Sequence, residues 1–203
     1  MAKLKGPLFS LAAAGKIADT LVYFGWKGLD VVRQYVIPAN PRSDRQIVQR
    51  DFLKTAVLEV HNAMVYLGHP LTSDDKSAYA LAGSLHPTPR TWFNEAVKIM
   101  VDAMVDAQSY AALVSLAATY KAATTADVVG WSVKEATLTG FVKYGVTKSA
   151  LINSVAANIA LHTFTAVMTG LSAGVTYFWQ WQAPPVEGKT VLKSGIYTYK
   201  HEA

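Results

Sequence analysis

The chain has 203 residues, 51% of them hydrophobic and 16% charged, ample for a buried core but sparse in solvating charge for a subunit standing alone. It has no cysteine, which excludes disulfides, thiolate catalysis and cysteine metal sites, and no apolar run nears the roughly 20 residues of a membrane-spanning helix. The net charge of +5 sits in residues 1–50, where eight Lys and Arg face three Asp, and the remainder is balanced. Such a basic segment suits nucleic acid, an acidic partner or solvent.

The first seven residues, Met1-Ala2-Lys3-Leu4-Lys5-Gly6-Pro7, precede no long apolar core or small-residue cleavage site and read as mature sequence. Leu8 to Ala14 has no period and follows a Gly-Pro pair, which predicts an extended arm. Lys16 to Phe24 and Leu29 to Ile37 read as two strands joined by Gly25-Trp26-Lys27-Gly28, with glycines where a hairpin needs permissive backbone. Trp26 there either covers the hairpin core or anchors a partner. Pro38-Ala39-Asn40-Pro41 stops the second strand, because proline has no ladder donor. Ser43 and Gln46 form a capping box for a helix to about Leu67, with Val48, Phe52, Ala56, Val60, Met64 and Leu67 as its apolar stripe. Thr72 or Ser73 caps a second helix to about Ser84. Thr88-Pro89 opens a third, striped by Phe93, Val97, Met100 and Met104.

The N-terminal residues carry a resemblance. Trp26, Lys27, Gly28, Arg33, Pro38, Asn40, Pro41, Gln46 and Arg50 match a pattern that resembles the N-terminal module of phage and prophage proteins, over roughly residues 6 to 52. The resemblance implies a virion or phage-assembly role, within particles assembled in the host cytoplasm. Other copies of the chain or other virion proteins would be the partners. The candidate interface comprises Trp26, Lys27, Arg33, Tyr35, Arg42 and Arg45.

From about Tyr110, segments rich in Ala, Thr and Val recur at strand length between Gly, Asn and Thr, the spacing of an all-β sandwich. The expected strands are Leu113 to Tyr120, Asp127 to Val133, Thr139 to Tyr144, Ser154 to Ala157, Thr163 to Thr169, Thr176 to Gln182 and Gly195 to His201. Tyr177, Trp179 and Trp181 alternate along one strand and fall on one face. Residues 140–151, 169–183 and 194–203 are similar, in that order, to segments of fibronectin type III-like domains. The resemblance implies a core tryptophan at Trp131 and a buried Tyr177 bonded to neighbouring backbone. Tyr177, Trp179 and Trp181 are the candidate sandwich core; with Phe178 beside them, the tryptophans could instead form a carbohydrate platform. No RGD tripeptide occurs, so integrin-type adhesion is not supported.

Catalytic signatures are not found. The five histidines (His61, His69, His86, His162, His201) have no metal-pair spacing, and Asp74-Asp75 lacks the alternating ligands of a calcium loop and suits a helix N-terminus. Glu95 and Asp102 read as solvated helix surface. No nucleotide-binding or nucleophile-elbow motif occurs, and no cofactor or metal is expected. Nucleic acid is possible through Lys16, Lys27, Arg33, Arg42, Arg45 and Arg50 beside Tyr23, Trp26 and Tyr35, but is not favoured over virion neighbours. The expectation is an α+β chain without enzymatic activity: an arm and β-hairpin (1–42), a three-helix module (43–109), and a fibronectin type III-like antiparallel sandwich (111–203).

Overall fold

In a computed structural model, residues 15–17, 20–27, 29–37, 42–109 and 112–202 are described, without the side chains of Ile17, Gly25, Trp26, Leu29 and Asp30. The chain divides into two compact units, Met1–Ser43 and Asp44–Ala203. The arm at 8–14 and the proline stop at 38–41 lie outside the described residues.

The first unit is an antiparallel sheet of β1 (Gly15–Ile17), β2 (Leu21–Trp26) and β3 (Leu29–Gln34), in that order. The run expected as one strand from Lys16 to Phe24 is therefore two. It folds back at Thr20, a residue type that favours turns, and Lys16 then pairs with Val22 and Ile17 with Leu21. At the β2–β3 turn Lys27 adopts φ 51°.

The second unit opens with α1 (Asp44–Met64), α2 (Ser73–Gly83) and α3 (Trp92–Val105). On α1 only Ala56, Val60 and Ala63 are buried, whereas Val48 is exposed and Leu67 lies beyond the helix end, 95% exposed. The predicted stripe is longer than its cover. At 1.5 Å per residue α1 runs about 32 Å and α3, which packs against it, about 21 Å. The third helix starts at Trp92, with the Thr91 side chain accepting the Asn94 N–H at 3.3 Å, because residues 84–91 form a loop that Arg90 closes by donating its N–H to Gly83 O. Thr88-Pro89 belongs to that loop.

Nine strands follow: β4 (Leu113–Ala122), β5 (Thr125–Ser132), β6 (Thr137–Leu138), β7 (Phe141–Gly145), β8 (Asn153–Ala156), β9 (Ile159–Ala160), β10 (Thr163–Thr169), β11 (Thr176–Gln182) and β12 (Tyr197–Lys200). They form two antiparallel sheets, ordered β4-β5-β10-β9-β6 and β12-β11-β7-β8. Period-two alternation buries Phe164, Ala166 and Met168 from one sheet in the same core as Tyr177, Trp179 and Trp181 from the other. Trp131 is not in that core. The inward positions of β5 are Ala126, Val128, Gly130 and Ser132, and a Cβ on Gly130 would lie 2.3 Å from the Phe164 ring. Trp131 faces outward and packs with the helices.

Helices and sheets do not separate at residue 110. Ala78 and Ala103 join the core of the sheets, and Ala112 and Val114 join that of the helices. The closest approach is at Gly195, where a Cβ would lie 2.6 Å from the Ala78 carbonyl carbon and 2.7 Å from Tyr79 N. The next residue, Ile196, donates its N–H to Ala78 O at 3.0 Å. Gly195→Ala should therefore push α2 off the last strand and cost about 1–3 kcal/mol, read as a lower urea midpoint. An unchanged midpoint would show that the contact relaxes freely.

Candidate functional site

The most heavily bonded side chain in the second unit is Asp75, at the start of α2 and 0% exposed. Locally it completes a capping box. Its carboxylate accepts the Thr72 N–H and hydroxyl, both at 2.8 Å, while the Thr72 oxygen accepts the Asp75 N–H at 3.2 Å. The same carboxylate accepts Ser115 N–H at 2.9 Å and Leu116 N–H at 3.3 Å from β4, and the Tyr197 hydroxyl at 2.7 Å from β12. Two successive amides reach it because β4 slips register between Val114 and Ala117, with Ser115 at φ 53°. Charge-assisted bonds of about 1.5–3 kcal/mol each offset a strained backbone position of about 1–3 kcal/mol.

Burial, followed by the charge of Asp75, raises the phenols of Tyr79 and Tyr197 above their usual range. Tyr79 donates its hydroxyl to Leu113 O at 3.3 Å. Glu95 departs from the expected solvated surface. It is buried and bonded to His86 Nε2 at 3.1 Å and to Arg90 at 3.3 Å, tying the α2–α3 loop to α3. Asp102 pairs with Lys98 on the helix surface. Asp106, just past α3, accepts Thr190 N–H at 2.6 Å, and this bond holds its carboxyl below the ordinary range. Among the described residues no three His, Asp or Glu converge as metal ligands.

Trp179 and Trp181 are 1% and 0% exposed, and Trp181 donates its indole N–H to Ala157 O at 2.7 Å. Neither offers a ring face to a sugar, which corrects the platform reading. Tyr177 is buried too, and its hydroxyl oxygen accepts Ser172 N–H at 2.9 Å. Trp131 stacks on His69, ring centroids 4.1 Å apart, and lies nearly parallel to His162 at 5.7 Å. Spacing did not reveal that trio, since its members are far apart in sequence. A cleft of about 510 Å³ opens between β4 and β12, walled by α2 and reaching Trp179.

The N-terminal sheet holds Lys27, Arg33 and Tyr35 of the candidate interface; the side chain of Trp26 lies outside the described residues. Register puts Lys16, Val22 and Arg33 in one row across one face, with Phe24 and Tyr35 beside them. Lys16 lies 3.7 Å above the Tyr35 ring and Arg33 5.3 Å above Phe24. The opposite face carries Leu21, Tyr23 and Val32, with Leu21 39% and Val32 51% exposed. Arg42 and Arg45 are exposed, Arg45 in the first turn of α1.

Asp75→Ala leaves two amides and a phenol of the sheets without their acceptor. It should cost about 3–5 kcal/mol in urea unfolding, with Asp75→Asn falling between it and the parent. The tyrosines predict a pH dependence. Unfolded chains lose phenol protons near pH 10, while folded Tyr79 and Tyr197 keep theirs, so their share of stability is complete below pH 10 and is lost as pH rises beyond it. The urea midpoint should fall between about pH 9 and 11.5, and less steeply in Tyr197→Phe; equal slopes would refute that assignment.

No protein-family model matches the chain, and no curated protein matches it either. A solved structure titled "Myokine structure" is similar over 47% of this chain and 100% of its own, at 16% identity and a TM-score of 0.35, a likeness too slight to carry an argument.

Proposed function

We propose that this chain is a non-enzymatic virion structural protein, a minor capsid, decoration, tail or head-fibre component, that assembles through its N-terminal sheet and presents a fibronectin type III-like sandwich. The sandwich reading is supported by strand order. With β4, β5 and β10 taken as the first, second and fifth strands of such a domain, and β12-β11-β7-β8 as its other sheet, the antiparallel neighbours follow the order of that fold. The Tyr177 hydroxyl, which accepts Ser172 N–H at the entry to β11, supports the same reading, because such domains place a backbone-bonded tyrosine there. Phage context comes from the resemblance of residues 6 to 52.

The observation that carries the assembly reading is the second face of the N-terminal sheet. Leu21 and Val32 stand exposed on it, in a unit too small to hide both faces of its own sheet. Burial against a neighbouring subunit would remove that apolar surface from water. The sugar-binding alternative loses its support with Trp179 and Trp181 in the core.

Light scattering after size exclusion should find a defined oligomer, or association that grows with concentration. Leu21→Ser/Val32→Ser should return it to monomer while leaving the circular dichroism of the second unit intact. A parent chain that stays monomeric at every concentration would sink self-assembly through this face.

A further inference from the structure

The face of the N-terminal sheet opposite Leu21 and Val32 has a different chemistry. Residues 1–43 hold six Lys and Arg against two Asp, a net +4, so nearly all of the chain's +5 belongs to this unit. Two of those cations, Lys16 and Arg33, are exposed and flank Val22 in one cross-strand row. With strands about 4.8 Å apart, their Cα atoms stand about 10 Å from each other. Each lies over an aromatic ring of the same face, and Tyr35 also borders an open concavity of about 620 Å³ with Lys16, Gln34, Val36 and Ile37.

We propose that this face binds single-stranded nucleic acid, with Lys16 and Arg33 on the phosphates and Tyr35 and Phe24 as stacking surfaces. Cations alternating with rings on a sheet match what such a strand presents: a phosphate on every nucleotide and an unpaired base with two flat faces. A duplex hides those base faces and is read by elements that enter a groove, which a small sheet does not supply. An acidic peptide would use the charges and leave the rings idle. The inference is independent of the virion reading, and the residues that test it lie on the other face from those that test assembly.

The test uses the full chain and a fluorescent oligo(dT) of about 20 nucleotides, followed by anisotropy at about 50 mM salt and upward. Binding should weaken steeply with salt. Lys16→Gln/Arg33→Gln should lower affinity at least about tenfold and make the logarithmic salt slope shallower by about 1.4, roughly 0.7 for each phosphate no longer neutralised. Tyr35→Ala should weaken binding about fivefold or more and leave that slope unchanged. Lys16→Arg/Arg33→Lys keeps both charges and should bind like the parent, separating charge loss from misfolding. The proposal is overturned if the parent does not bind, if the glutamine variant binds as well as the parent, or if a duplex of equal length or polyglutamate is held as tightly as oligo(dT).

Discussion

One carboxylate holds the second unit in register. The two sheets share a core but no ladder, so apolar burial presses them together without specifying how their edges align. Asp75 supplies much of that specification, beside the Tyr144 hydroxyl bonded to Thr169 and the His201 ring bonded to Ala123 O. Its oxygens reach the Ser115 and Leu116 amides on the edge strand of one sheet and the Tyr197 hydroxyl on the edge strand of the other, from the first turn of a helix. A buried charge is tolerable only when its lone pairs are filled, and here five donors fill them. The bulge in β4 and the positive φ of Ser115 are the backbone's response to that demand.

Around this clamp the packing is unevenly specified. Trp179 and Trp181 bury about 200 Å² each, on the order of 5 kcal/mol apiece in gross transfer terms, and anchor the sheet that contains β11. Where Trp181 and Phe164 crowd the centre, small residues make room: Gly130 beneath the Phe164 ring and Gly140 against the Trp181 indole. The outer face of β5 uses its tryptophan differently, stacking Trp131 on His69 so that the loop between α1 and α2 rests on the sheet. The helices thus act as a cover for one side and one edge of the sandwich.

The N-terminal sheet follows another logic. It is short and two-sided, and its described residues divide by chemistry: cations over rings on one side, Leu21, Tyr23 and Val32 on the other. Such a division is useful to a protein that meets two unlike surfaces, and it connects the basic segment of the sequence to a pair of faces that can be altered separately.

The sequence by itself determined most of the longer elements, though not the break at Thr20 or the short strands β6 and β9. Period-two alternation in 163–169 and 176–182 and the three-and-four spacing of 92–105 depend on local geometry, and the corresponding strands and helix are present. Thr72 or Ser73 as a cap, with Asp74-Asp75 after it, likewise announced a helix start. Tertiary structure decided which face each element turns inward and what lies against it. Nothing local distinguishes Trp131, facing out, from Trp181, facing in, because that choice depends on Phe164 filling the space above Gly130. Nor does spacing reveal that the carboxylate of a capping box continues to amides 40 and 41 residues away and a phenol 122 residues away. Side-chain periodicity is a property of one element, whereas a buried charge finds its donors only after the chain has closed around it.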